Sequence, residues 1–261
     1  MLAPIFQVDA FTNRRFSGNP AAVMVFEQFP PEEVLQALAA ENNLPETAFL
    51  VADNGDYQIR WFTPMVEVPL CGHATLASAA VVMERLEPKR EVVVFHSASG
   101  PLTVSRSGTG YVMDFPRRTL EPVEIPPELP SALGAMPVEV VWDGSNFLAR
   151  LATAEIVHNL NPDLAAIETL ARSGVIVTAP GDAGFDFVSR YFAPAKGIPE
   201  DPVTGGAHCG LTPFWAQRLD KTAFRAFQAS RRGGEIVCRL VGDRVELEGA
   251  CVFYLDGTVE F

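Results

Sequence analysis

Residues 60–76 read Arg60-Trp-Phe-Thr-Pro-Met-Val-Glu-Val-Pro-Leu-Cys-Gly-His-Ala-Thr-Leu76. Arg60 to Thr63 has the character of a strand end, and Pro64 and Pro69 interrupt regular structure. Cys71-Gly72-His73 then opens an apolar helix, Ala74 to Leu86. A strand thus runs through a proline-punctuated loop into a helix entered at a glycine. The first N–H groups of such a helix have no intrahelical partners and lie at the positive end of its dipole, which suits them to anions.

The pattern recurs half a chain later. Arg190-Tyr-Phe-Ala-Pro194 echoes Arg60-Trp-Phe-Thr-Pro64 at an offset of 130 positions in a chain of 261. Glu200-Asp-Pro-Val-Thr-Gly-Gly-Ala-His208 then leads into a second apolar stretch, Cys209 to Leu219. Arg60 precedes Gly72 by 12 positions and Arg190 precedes Gly205 by 15, so the second copy carries a three-residue insertion in its loop.

The composition, 48% hydrophobic and 20% charged, is that of a globular chain. A net charge of −12 argues against nucleic acid or an anionic membrane as partner. The longest apolar run, Ala77 to Met83, falls far short of the ~20 residues of a membrane span. No signal-peptide pattern opens the chain, and Cys71, Cys209, Cys238 and Cys251 form no CxxC pair. Reduced thiols and a cytoplasmic location are expected.

In order, Ile5–Phe11, Ala21–Phe26, Thr47–Ala52 and Tyr57–Thr63 read as strands, with a helix from Pro30 to Asn43 between the second and third. Glu91–Phe95, Leu102–Ser105 and Tyr111–Phe115 complete a first half, with a turn at Ser107-Gly108-Thr109-Gly110. Pro116 to Pro137, rich in proline and acids, reads as a linker. Strands at 138–142, 147–151, 175–178 and 185–192 follow, with a helix at Pro162–Ala171 capped by Asn161. The helix near Ala207–Leu219 and four closing strands finish the chain. The fold class is α+β: two pseudo-symmetric lobes, each a curved, mainly antiparallel sheet or barrel wrapped around a central apolar helix. The boundaries are 1–118, a linker at 119–137, and 138–261, with the last strand a candidate to cross back to the first lobe. Both helix entrances are expected at the cleft between the lobes.

Glu46 stands in an otherwise apolar segment, between Leu44-Pro45 and Thr47-Ala48-Phe49. A carboxylate in low dielectric has a raised pKa and can give and take protons near neutrality; a surface glutamate at a strand start is the alternative. His73 is placed either to bind substrate and relay a proton or to cap its own helix. Asp201, before Pro202, is either a substrate contact or turn chemistry. Gly205-Gly206 permits close backbone approach to a ligand. Cys71 at a helix N-terminus is expected to have a lowered pKa. Cys71-x-His73 with His208-Cys209 has the residue types of a zinc set but no standard spacing, so no metal is expected.

These stretches, with Gln7-Val-Asp-Ala-Phe11, Gly18-Asn-Pro-Ala-Ala22, Asn43-Leu-Pro-Glu-Thr-Ala-Phe49 and Arg231-Arg-Gly-Gly-Glu235, resemble the phenazine-biosynthesis isomerase (PhzF-like) family, in order and over nearly the full length. The resemblance implies a fold similar to diaminopimelate epimerase and a homodimer. It implies a cofactor-independent isomerase that moves a proton between carbons of a small carboxylate-bearing substrate. Glu46 would be its general acid/base, with His73 and Asp201 in the same site. Asn19, Cys71, Gly72, Thr204, Gly205 and Gly206 would bind substrate. Family members usually carry serine where this chain has Gly206. Two other functions stand beside this one: a Cys71-dependent epimerase or racemase, and a non-catalytic carboxylate-binding protein of the same fold.

Overall fold

A helix with no polar side must be enclosed, and the first part of the chain is built to enclose one. The computed structural model describes residues 1–108, 110–170 and 174–261. The chain divides into two units, 1–114 with 248–261, and 115–247.

The first unit contains β1 (Leu2–Ala10), β2 (Asn19–Phe26), α1 (Glu32–Asn42), β3 (Glu46–Asp53), β4 (Asp56–Phe62), β5 (Glu67–Val68) and α2 (Gly72–Val81). A π-helical turn (Val82–Leu86), β6 (Val92–Ser97), β7 (Gly100–Ser107) and β8 (Gly110–Pro116) follow. In the second unit are β9 (Glu121–Val123), α3 (Leu129–Leu133), β10 (Glu139–Trp142), β11 (Phe147–Arg150), α4 (Ala154–Asn159) and α5 (Leu164–Leu170). After them come β12 (Val175–Pro180), β13 (Phe187–Ala193), a 3-10 turn (Pro194–Lys196), β14 (Ile198–Asp201), α6 (Gly205–Leu219), β15 (Ala223–Gln228), β16 (Gly234–Val241) and β17 (Arg244–Gly249). The last strand, β18 (Cys251–Glu260), belongs with the first unit.

The two units repeat one pairing scheme. β1 and β2 are antiparallel, β2 and β3 parallel, β3 and β4 antiparallel; β4 then pairs antiparallel with β5 and parallel with β6. β10 to β15 repeat the same sequence of senses: antiparallel, parallel, antiparallel, then β13 antiparallel to β14 and parallel to β15. Parallel neighbours need a long crossover, and the helices supply it. α1 lies between β2 and β3, and α2 between β5 and β6; α4 with α5 and then α6 serve the second unit in the same way. Every residue of α2 from His73 to Val81 is buried, as its uniformly apolar sequence requires.

The repeated arginines show where the insertion lies. Arg60 makes a two-pronged ion pair with Glu67, and Arg190 makes the same pair with Glu200. Glu67 and Glu200 each precede the helix-opening glycine by five positions. The extra residues of the second copy therefore fall between arginine and glutamate, where the structure has the turn at 194–196.

Several features differ from the sequence reading. Residues 119–137 are not a bare linker: β9 pairs with β10, and Leu129, Ala132 and Leu133 of α3 are buried in the core of the second unit. Proline and acid content hid this, because strands and helices this short leave little periodicity. α4, with Thr153 as cap, was not expected. Asp163 rather than Asn161 caps α5, its Oδ1 accepting from Ala166 N. The end expected for that helix, Ala171, and Thr109 of the expected turn lie outside the described residues. β18 pairs with β1 along its whole length, Leu2 opposite Glu260 and Ala10 opposite Cys251. That pairing supplies the ladder on the outer edge of β1 and takes residues 248–261 out of the span 138–261.

Pro213 lies inside α6. It has no N–H to offer the carbonyl of Cys209. The backbone N–H of Arg118 donates to that carbonyl instead, at 3.0 Å. No helix among the described residues is long and apolar enough to cross a membrane.

Candidate active site

Three elements of the first unit begin at one place. Asn19 is the first residue of β2, Glu46 the first of β3, and Gly72 and His73 the first two of α2. Because β2 and β3 are parallel, with Ala21 opposite Glu46, both strands start at the same end of the sheet. Cys71 is the N-cap of α2, with extended backbone and no side-chain capping bond, so its thiol leaves the first helical amides uncapped.

His73 is the hub of this group. Its Nε2 lies 3.1 Å from Glu46 Oε2. Its Nδ1 is 3.1 Å from Asn19 Nδ2 and 3.5 Å from Cys71 Sγ. Asn19 is 0% exposed, His73 5%, Cys71 6% and Glu46 8%. The ring does not cap its own helix; its nitrogens face three other side chains. Glu46 Oε2 and His73 Nε2 are close but off the line of a hydrogen bond, and neither has an aligned partner elsewhere. A buried polar atom in that state costs free energy until a partner arrives.

Burial alone would push the His73 imidazolium down. The neighbouring Cys71 and Glu46 outweigh it and hold the group well above its ordinary range. The Cys71 thiol is pushed up, by burial first and then by the Glu46 charge, with His73 opposing. This overturns the expectation of a lowered thiol pKa: the fractional charge of a helix end is outweighed by burial together with a whole carboxylate charge. With Cys71 kept as the thiol, the charge that sustains the imidazolium is that of Glu46. In the neutral ring, Asn19 Nδ2–H donates to Nδ1 and Nε2–H faces Glu46. A proton on Nδ1 requires the Asn19 amide to turn and present its oxygen.

The folded imidazole holds its proton to higher pH than the unfolded one. Its contribution to stability is therefore complete below the ordinary value of 6.5 and is lost as pH rises through the folded value. In Glu46→Gln that fall is expected to weaken, and the His73 titration seen by nitrogen-15 NMR to move down. An unmoved titration would show that Glu46 does not sustain the charge.

Glu46, Cys71 and His73 bring donor atoms within 4.8 Å of one another. The thiol lies at Nδ1 and the carboxylate at Nε2, on opposite sides of the ring. The three are of metal-ligating type, and the same atoms are also placed for proton transfer. His208 and Cys209 belong to the second unit. His208 Nδ1 is engaged by the Thr204 carbonyl at 2.8 Å, and burial pushes Cys209 up to about 12.

The second unit holds Asp201, Thr204, Gly205 and Gly206 together at the start of α6. The Thr204 hydroxyl donates to Asp201 Oδ2 rather than capping the helix. Gln228, which sequence reasoning missed, ties the group: its Oε1 accepts from Thr204 N at 2.8 Å, and its Nε2 donates to the Asp201 carbonyl at 2.8 Å. Gln228 is 1% exposed at the end of β15, and nothing in Ala-Phe-Arg-Ala-Phe-Gln marks it as functional. A Cβ on Gly206 would meet nothing within 4 Å, and its φ is not positive, so packing does not require glycine there. Gly206→Ser is expected to change stability by less than about 0.5 kcal/mol in urea unfolding; a large loss would show that the residue is constrained after all.

The fold is epimerase-like: the chain aligns with a structure described as a predicted epimerase of Pseudomonas aeruginosa at a TM-score of 0.75, with 21% identity over 98% of this chain and 99% of the other. A crystal structure of a phenazine biosynthesis protein of the PhzF family from Enterococcus faecalis superposes at 0.97, with 43% identity and all of both chains covered. A protein of Pseudomonas aeruginosa named as an uncharacterized isomerase is 49% identical over 97% of each chain. Residues 8–257 match the family model for phenazine biosynthesis-like proteins. The chain belongs to the phenazine biosynthesis-like protein family.

Proposed function

We propose that this protein is an isomerase that moves a proton between carbons of a small carboxylate-bearing substrate, with Glu46 as the general acid/base. The observation that carries the reading is the buried Glu46–His73 pair, 3.1 Å apart and unaligned, at the uncapped start of α2. Relatives from two bacterial species are named isomerases.

Glu46 takes a proton from a substrate carbon and returns it at another. His73, 3.1 Å from the carboxylate, holds it in place. The N–H groups of Gly72 and His73 face charge that develops as the C–H bond breaks, in surroundings of low dielectric where fixed dipoles act strongly. Asn19 sets the imidazole from its other side. In the second unit, Asp201, Thr204 and the amides of Gly205 and Gly206 are the candidates for substrate contact.

The test is deuterium entry from D₂O into carbon positions of a panel of small unsaturated, amino and hydroxy acids. It is followed by proton NMR with the wild type and with Glu46→Gln. A second reading, in which Cys71 is the base, draws on the 3.5 Å contact of its sulfur with His73 Nδ1. The raised thiol pKa weighs against it. Cys71→Ser is expected to keep most of the exchange, and loss of exchange in that variant alone would transfer the role to the thiol. Thermal stabilisation by the same acids with no exchange would instead mark a carboxylate-binding protein.

A further inference from the structure

The second unit contains a run of buried polar groups that the proposed reaction does not use. The Asp143 carboxylate is 2% exposed. It accepts from the backbone N–H groups of Ser145 and Asn146 and from Asn146 Nδ2. Asn146 Oδ1 accepts from the Tyr191 hydroxyl at 3.0 Å, and that hydroxyl accepts from the Lys196 ammonium at 2.9 Å. Gly174 leaves room for the phenol: a Cβ there would stand 2.8 Å from the Tyr191 oxygen. On the other side of Asp143, Arg118 Nη1 donates to Ser145 Oγ at 3.1 Å, and Arg118 Nε lies 3.8 Å from Asp143 Oδ2. The Arg118 backbone is fixed by the carbonyl that Pro213 leaves unpaired.

Two cations are therefore held with donors to spare, Arg118 beside the Asp143 carboxylate and Lys196 against a neutral phenol. Lys196 spends one of three N–H groups, on a phenol, and among the described residues no carboxylate lies within ion-pair distance of it. Lys196 is exposed as a residue, while its ammonium, drawn against Tyr191, is pulled down by lost hydration and then by the Arg118 charge, with Asp143 and Asp201 opposing. Tyr191 is pushed up, mainly by burial, and stays a neutral phenol. Lys196 also sits in the insertion that separates the second sequence copy from the first, so the repeat itself does not call for it.

We propose that Arg118 and Lys196, positioned by Asp143, Asn146 and Tyr191, form a binding site for a small oxyanion, a carboxylate or a phosphate. Such a ligand takes the unspent N–H groups of both side chains and relieves their mutual repulsion.

The chain has three lysines, Lys89, Lys196 and Lys221. Protein labelled with carbon-13 and nitrogen-15 lysine gives one Cε–Nζ signal for each, and can be titrated separately with acetate and with inorganic phosphate. A saturable shift confined to Lys196 is expected, with apparent affinity reduced about tenfold in Arg118→Gln and in Tyr191→Phe, the loss of one charge-assisted contact or of its positioning. Saturation by acetate alone assigns a carboxylate site, and saturation by phosphate alone a phosphate site. Parallel, unsaturable shifts of all three lysines, or equal affinity in wild type and Arg118→Gln, would overturn the proposal. The readout is binding, so it is independent of whether Glu46 is the base.

Discussion

Glu46→Gln is expected to lower deuterium entry into substrate by about 10³-fold or more, the range lost when a positioned general base is removed. The substitution keeps the shape of the side chain and takes away its ability to accept a carbon-bound proton. It also takes away the charge that holds His73 protonated, and the imidazole can respond by becoming neutral. No unpaired charge is then left in the interior, and the fold should survive, unlike the usual case in which one member of a buried ion pair is deleted. Circular dichroism and unfolding curves close to those of the wild type should accompany the loss of exchange. Exchange at the wild-type rate in Glu46→Gln would remove Glu46 from the chemistry.

Gly18→Ala is expected to be the most damaging small substitution near the site. Gly18 has φ +65°, where a Cβ carries a steric cost of roughly 1–2 kcal/mol. The added carbon would also stand 2.2 Å from the Ala10 carbonyl oxygen and 2.7 Å from Thr12 Cγ2. Ala10 cannot readily give way, because it is paired with Asn19 on one side and Cys251 on the other. A loss of about 2–4 kcal/mol is expected, within the range of backbone strain and overpacking. Any relaxation moves Asn19, the next residue, away from His73 Nδ1. The variant should therefore also change the His73 titration. Stability within 0.5 kcal/mol of wild type would show that the turn accepts a side chain and that this backbone geometry is not required.

Much of the candidate site was legible because its signals are local. Glycine and apolar residues after a proline loop mark the start of α2, and the same signals at Thr204-Gly205-Gly206 mark α6. Glu46 was legible as a carboxylate in an apolar segment, yet its depth was not, since nothing in Leu-Pro-Glu-Thr says which way the chain turns. Gln228 was invisible for the converse reason: a glutamine ending a strand reads as surface. Cys71 was misread because a helix terminus can be seen in sequence, while the burial that outweighs it cannot.

By itself the sequence determined the repeat, the two enclosed helices and the polar residues at their entrances, since turn chemistry and hydrophobic periodicity act over a few residues. It also located the three-residue insertion to the loop. Only the tertiary structure decided that Asn19, Glu46 and His73 meet, because parallel pairing of β2 and β3 brings two strand starts to one end of the sheet. Only it placed β18 against β1, since an edge strand takes whichever partner completes its ladder. And only it set the state of the titrating groups. The His73 imidazolium and the Cys71 thiol answer to burial and to a carboxylate more than twenty positions away in the chain, and electrostatic energy depends on distance in space and the local dielectric.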